Sequence, residues 1–179
     1  MSGQRATPKL TISEVFHFGI FEDDKRGRYD DRAIALVTGA AIEQALESAI
    51  LTKFIKLDEV DERYLFSDEN APLSTFDAKI RVAYALGVIG KLARDDLVCI
   101  KQIRNSFAHS RLDINFYTPE IVSAVAQLTL PSRIPHLFSA MIERDFFIQT
   151  GYQYFGSLIS AEQTELDDKF RNHRAQILA

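Results

Sequence analysis

Tryptophan is absent from this chain, cysteine occurs once, and neither sign of charge dominates. Each scarcity removes a class of protein. A single cysteine, Cys99, cannot close an internal disulfide, and no Cys/His spacing for zinc accompanies it. It reads as a small core residue. Lysine and arginine number 21 against 25 aspartate and glutamate, a net charge of −4. A strongly basic face is therefore not the default, which argues against direct binding to nucleic acid. No run approaches the ~20 apolar residues that span a bilayer. The first residues, Met1 to Pro8, lack the apolar stretch of a signal peptide. The expectation is a cytoplasmic protein without a membrane partner. Gly-rich phosphate loops, a dinucleotide fingerprint and a Gly-x-Ser-x-Gly elbow are all missing. His17, His109, His136 and His173 are scattered, so neither a metal nor a cofactor is expected. No pair of short helices with a basic second member marks a helix-turn-helix.

What is present is helical periodicity. The 179 residues, 46% of them hydrophobic, suit one globular domain able to bury most of its apolar surface. The fold class expected is all-α, a single-domain bundle of about six to seven helices. Residues 1–10 read as a flexible tail, 11–160 as the helical domain, and 161–179 as a polar C-terminal helix or tail. Thr11 or Ser13 is placed to cap a first helix carrying Ile12, Val15, Phe16 and Ile20, ended by the polar break 22–27. Asp30 or Asp31 caps a long second helix with Ile34, Val37, Ala41, Leu46 and Ile50 along one stripe. Gly39 sits in it where another helix can approach closely. Glu43 and Glu47 are one turn apart on that helix. Without a matching Glu-x-x-His elsewhere, they read as a solvated or ion-paired face rather than as metal ligands.

Residues 57–70 read as a charged connector anchored by Tyr64, Leu65 and Phe66. Ser74 to Asp77 reads as a capping box, opening a helix from about Thr75 to Ile89 that Gly87 and Gly90 end. Lys91 to Asp95 links to a helix whose stripe is Leu97, Ile100, Ile103 and Phe107. After it, Leu112, Ile114 and Phe116 alternate as a short extended piece would. Thr118-Pro119-Glu120 starts a short helix to about Leu128. Pro131 and Pro135 break the chain before a long helix over 137–160. Its aromatics, Phe146, Phe147, Tyr152, Tyr154 and Phe155, read as core or interface. Ser160 and Glu162 start one more polar helix toward Leu178.

One cluster carries chemistry: Arg104, Asn105 and His109. Five residues of helix turn through roughly 500°, so Arg104 and His109 lie about 140° apart and share no face of a regular helix. If they act together, the helix loosens near His109 or a second copy supplies half of the site. The plain alternative is a helix end, with Arg104 in an ion pair and His109 as a last-turn cap.

Two stretches resemble known families. Pro72-Leu73-Ser74-Thr75-Phe76, Ala78-Lys79-Ile80 and Ala83 to Ile89 resemble the mannitol operon repressor family. So does the following helix, with Asp96-Leu97, Ile100, Ile103-Arg104 and a closing His109. That resemblance covers roughly residues 30 to 130. It implies an all-helical fold and a transcriptional regulator of sugar-alcohol uptake genes. Such a regulator lacks a DNA-reading element and acts through a protein partner. Ile103 to His109 is also similar to the Arg-x4-His signature of the helical HEPN (higher eukaryotes and prokaryotes nucleotide-binding) superfamily, which includes metal-independent ribonucleases. This second resemblance implies a homodimer whose Arg and His residues line one cleft on RNA. Arg104 would then neutralise a phosphate, His109 act as general acid or base, and Asn105 orient them.

Overall fold

The computed structural model describes residues 30–139, 141–160 and 168–179. The expected first helix, the polar break and the tail lie outside them. Among the described residues every regular element is helical.

Helix α1, Asp31–Leu51, begins where the sequence placed it: Asp30 is the N-cap and its carboxylate accepts the Ala33 amide at 2.6 Å. By length and apolar content α1 is able to cross a bilayer, contrary to the sequence expectation that no run qualifies. More than half of its most apolar window is buried against neighbouring helices, as in the core helix of a bundle.

The stretch expected as a connector holds a helix, α2, Glu59–Phe66, capped by Asp58 through the Val60 and Asp61 amides. Nearly every side of α2 is exposed, so it shows no apolar stripe by which to recognise it. Phe66 is buried and Leu65 half-buried, while Tyr64, expected in the same anchor, is 70% exposed.

Helix α3, Phe76–Ala85, is capped by Thr75, not Ser74, with the Thr75 hydroxyl accepting the Ala78 amide at 3.1 Å. It stops four residues before Ile89. Gly87 has φ of 68°, the Val88 amide reaches back to the Ala83 carbonyl, and the Gly87 amide reaches Tyr84. That is a left-handed Schellman end, which favours glycine.

Helix α4, Lys91–His109, starts at Lys91 rather than after Asp95. It is the central helix, packed against α1 and α3, and it buries Ala93, Leu97, Ile100, Ile103 and Phe107. Residues 110–118 follow as irregular chain. There Leu112 is 75% exposed, Ile114 is half-buried against the core and Phe116 is buried, so the expected alternation seats two of its three residues. Phe107, Phe116 and Phe147 stack in tilted pairs 5.1 and 5.2 Å apart.

Helix α5, Pro119–Val125, has proline at its start as expected, but the Thr118 hydroxyl accepts the Asn115 amide instead of capping the helix. The prolines expected only to break the chain open a short α6, Leu130–Arg133, and a 3-10 turn, Pro135–Leu137. Helix α7, Glu143–Ile159, is shorter at its start than expected and packs along α1. Helix α8, Asp168–Leu178, returns to α7 and α4 and buries Ile177 and Leu178.

Among the described residues the most deeply buried charge is Asp96, 1% exposed on the buried face of α4. Its carboxylate accepts the Thr129 and Leu130 amides at 2.7 and 3.0 Å, which caps α6. It also accepts the Tyr154 hydroxyl at 2.7 Å and pairs with Arg133 at 2.9 Å. Burial and the Asp96 charge push the Tyr154 phenol far above its ordinary range. The second Arg133 nitrogen, Nη1, donates to the Gln176 and Ile177 carbonyls and so ties the last helix to this hub.

Candidate functional site: the Arg104–His109 end of the central helix

Arg104 leaves α4 toward α1. A Cβ built on Gly39 would lie 2.7 Å from Arg104 Cγ, so the arginine stem fills the place a side chain would take there. The close approach expected at Gly39 is therefore a side chain of the central helix. At the head, Nη1 donates to Asn105 Oδ1 at 2.9 Å and Nη2 to Glu43 Oε2 at 3.5 Å. Glu43 lies one turn beyond Gly39 on the same helix. Stem and head thus lie along successive turns of α1.

Glu43 and Glu47 share a second cation. Lys79 of α3, with its side chain 7% exposed, sits 3.4 Å from Glu43 and 2.7 Å from Glu47. The expected ion-paired face is present. Its partners, Lys79 and Arg104, come from two other helices, which no local pattern could reveal. Farther along α3, Asp77 accepts from Lys101 of α4 and from Arg81 at 2.6 Å. The Lys101 ammonium, then the Arg81 guanidinium, hold the Asp77 carboxyl below its usual value. Among these groups acid and base alternate, and each cation has a carboxylate beside it. Among the described residues no three or more His, Cys, Asp or Glu gather in a way that could hold a metal.

His109 is the last residue of α4 and is exposed. The helix stays regular through it, so local loosening does not bring it round to Arg104. No hydrogen-bond partner for its ring is found among the described residues. It does not cap the helix: the carbonyls just beyond, of Ser110 and Leu112, accept from Arg32 of α1 at 3.2 and 3.3 Å. Within the chain the structure brings together Arg104 and Asn105, adds Glu43, and leaves His109 apart in solvent.

Cys99 is buried, as its apolar surroundings suggested, with its thiol toward the Ala124 carbonyl at 3.0 Å. Burial, with the Asp96 charge nearby, raises its pKa to about 11, so it is no nucleophile at neutral pH.

The sequence reading missed Lys79, and missed Glu43 as the partner of Arg104. It also missed the Asp96–Arg133–Tyr154 hub. One signal for the hub was available: Asp96 lies on the apolar stripe with Ala93, Leu97 and Ile100, where an acid must find partners or be expelled. No family model matches the sequence, and no curated protein or solved structure matches it.

Proposed function

We propose that this chain is a cytoplasmic regulatory protein of the mannitol operon repressor type, a homodimer that controls transcription through a protein partner. The observation that carries this reading is the state of Arg104. Its guanidinium is committed to Glu43 and Asn105 and its stem to Gly39, while His109 stands apart. An arginine so held shapes a surface more readily than it captures a phosphate. The burial of α4 supports the partner-mediated part. Although α4 follows a short glycine turn, its apolar face is the core and Leu178 and Ala179 bind its first amides. Packed against α1, α3, α5 and α8, it does not project from the bundle as a groove-reading helix does.

Two measurements test the reading. Loss of the gene should raise transcripts of sugar-alcohol uptake genes in its host; unchanged transcripts would refute the regulator. Purified protein should bind promoter fragments at physiological salt no better than random DNA. A sequence-specific shift by protein alone would overturn the partner-mediated part.

The second reading is a metal-independent ribonuclease, a toxin or defence component, using Arg104, Asn105 and His109 across the homodimer. Its specific support is His109, exposed at the end of α4 where a second copy or an RNA strand can reach it. Under the first reading wild type leaves single-stranded RNA intact. His109→Ala then shifts protomer stability by no more than ~0.5 kcal/mol, because it removes no observed bond, while it weakens the dimer. Metal-free cleavage by wild type, lost in both His109→Ala and Arg104→Ala at unchanged melting temperature, would install the second reading.

A further inference from the structure

Helix α2 stands off the bundle. Phe66, its ring 6.3 Å from that of Phe54, holds it at one end, and the Leu73 amide binds the Leu65 carbonyl at 2.9 Å. The rest faces solvent. Val60 and Tyr64, one turn apart on one face, are each 70% exposed, and Ile55 just before the helix is 83% exposed. Tyrosine is among the residue types that most often anchor interfaces, and Val60 and Ile55 extend the apolar surface beside it.

Around Val60 and Tyr64 the frame is acidic, while Ile55 lies between the exposed Lys53 and Lys56. Residues 58–69 hold six carboxylates, Asp58, Glu59, Asp61, Glu62, Asp68 and Glu69, against one cation, Arg63. Arg63 is itself paired with Asp68 at 3.3 Å. The remainder of the chain has twenty basic and nineteen acidic residues, so this one segment holds the whole negative excess of the protein. Such a field repels nucleic acid and anionic lipid. A second copy docked symmetrically on the same face would set the six carboxylates against their own image. A basic surface carrying apolar side chains is the complement that remains.

We propose that the Val60/Tyr64 face of α2 is the docking surface for a basic, amphipathic helix of a partner protein. The proposal deepens the partner-mediated reading by placing the contact and giving the partner's chemistry. Apolar contact with Val60, Tyr64 and Ile55 supplies the affinity, and the carboxylates supply orientation and speed of encounter.

The probe is a fluorescent synthetic amphipathic helix of leucine and lysine, with a leucine/glutamate helix of the same pattern as control. It is titrated into the full chain and read by anisotropy. The lysine helix should bind and the glutamate helix should not, and binding should weaken as salt rises. Val60→Ser with Tyr64→Ser should weaken it at least ~10-fold at unchanged melting temperature, because both residues are already exposed. Leu112→Ser, equally exposed elsewhere, should leave it unchanged. No binding by wild type, or equal binding by the double variant, overturns the proposal. A fall in oligomeric mass on the double substitution gives the face to a second copy and also overturns it. A Tyr64→Cys thiol that labels as slowly as buried Cys99 gives the face to another segment of this chain, and that too overturns the proposal. None of these outcomes alters the transcript test, so the two readings fail separately.

Discussion

Replacing Asp96 by alanine should cost the fold about 3–5 kcal/mol, the range for removing one partner of a buried ion pair. The loss is large because Asp96 does several things at once. It neutralises Arg133, accepts the Tyr154 hydroxyl, and caps α6 through the Thr129 and Leu130 amides. Removing it leaves a half-buried cation, a buried phenol and two amides short of a partner. Asp96→Asn should fall between, since the amide oxygen still accepts one amide but cannot balance Arg133. Urea unfolding of the three proteins measures this. A loss below ~1 kcal/mol for the alanine variant would mean that the hub relaxes or hydrates, and that it does not fasten α4 to α6, α7 and α8.

A second large effect lies in the seam between α1 and α7. A Cβ added at Gly151 would stand 2.3 Å from the Thr38 γ-methyl, and Thr38 is fully buried. Thr38 is β-branched and hemmed in, so the helices themselves must part. Gly151→Ala should therefore destabilise by about 1–3 kcal/mol, even though alanine suits a helix better than glycine. Thr38→Ala removes both the obstructing methyl and a buried hydroxyl that has no hydrogen-bond partner. The double variant Thr38→Ala/Gly151→Ala should recover most of the loss. Thermal melts of the four proteins form the cycle. Additive effects, or a stabilised Gly151→Ala, would show that the seam is looser than it looks.

The parts of the fold that were legible in the sequence are those whose causes lie within a few residues. Asp30 before α1, Pro119 at the start of α5 and Gly87 after α3 each act on backbone next to them, and each was readable. The start of α4 was not. Gly90 offers no side chain to cap it, and the groups that bind its first amides are the carbonyls of Leu178 and Ala179, from the far end of the chain. Helix α2 was hidden for a different reason. Sequence periodicity reports burial on one side, and α2 is buried almost nowhere; only Asp58 and the acids of its first turn marked it.

The site divides in the same way. Arg104, Asn105 and His109 stood out by type and spacing, and the angle between Arg104 and His109 correctly implied that one regular helix would keep them apart. The partner that fixes Arg104 is 61 residues away on α1, and the space for its stem exists because residue 39 has no side chain. Neither fact is local. The expectation of ion-paired glutamates at Glu43 and Glu47 needed no partner to be stated, and it holds, with Lys79 and Arg104 as the cations.

The manner in which α4 is held also bears on how the protein is made. At its far end the chain beyond His109 is fastened early: Arg32 binds the Ser110 and Leu112 carbonyls, and Asp31 accepts the Phe116 amide. At its near end the fasteners are residues 176 to 179, through Gly90, Leu92 and Arg133. Synthesis delivers the first set long before the second. Until residues 176–179 emerge, α4 is anchored at one end, and Arg133 has Asp96 without the carbonyls of Gln176 and Ile177. The near-end fastening of α4 is therefore the later of the two to form, and the core around it stays open to chaperones and proteases until residues 176–179 have been made.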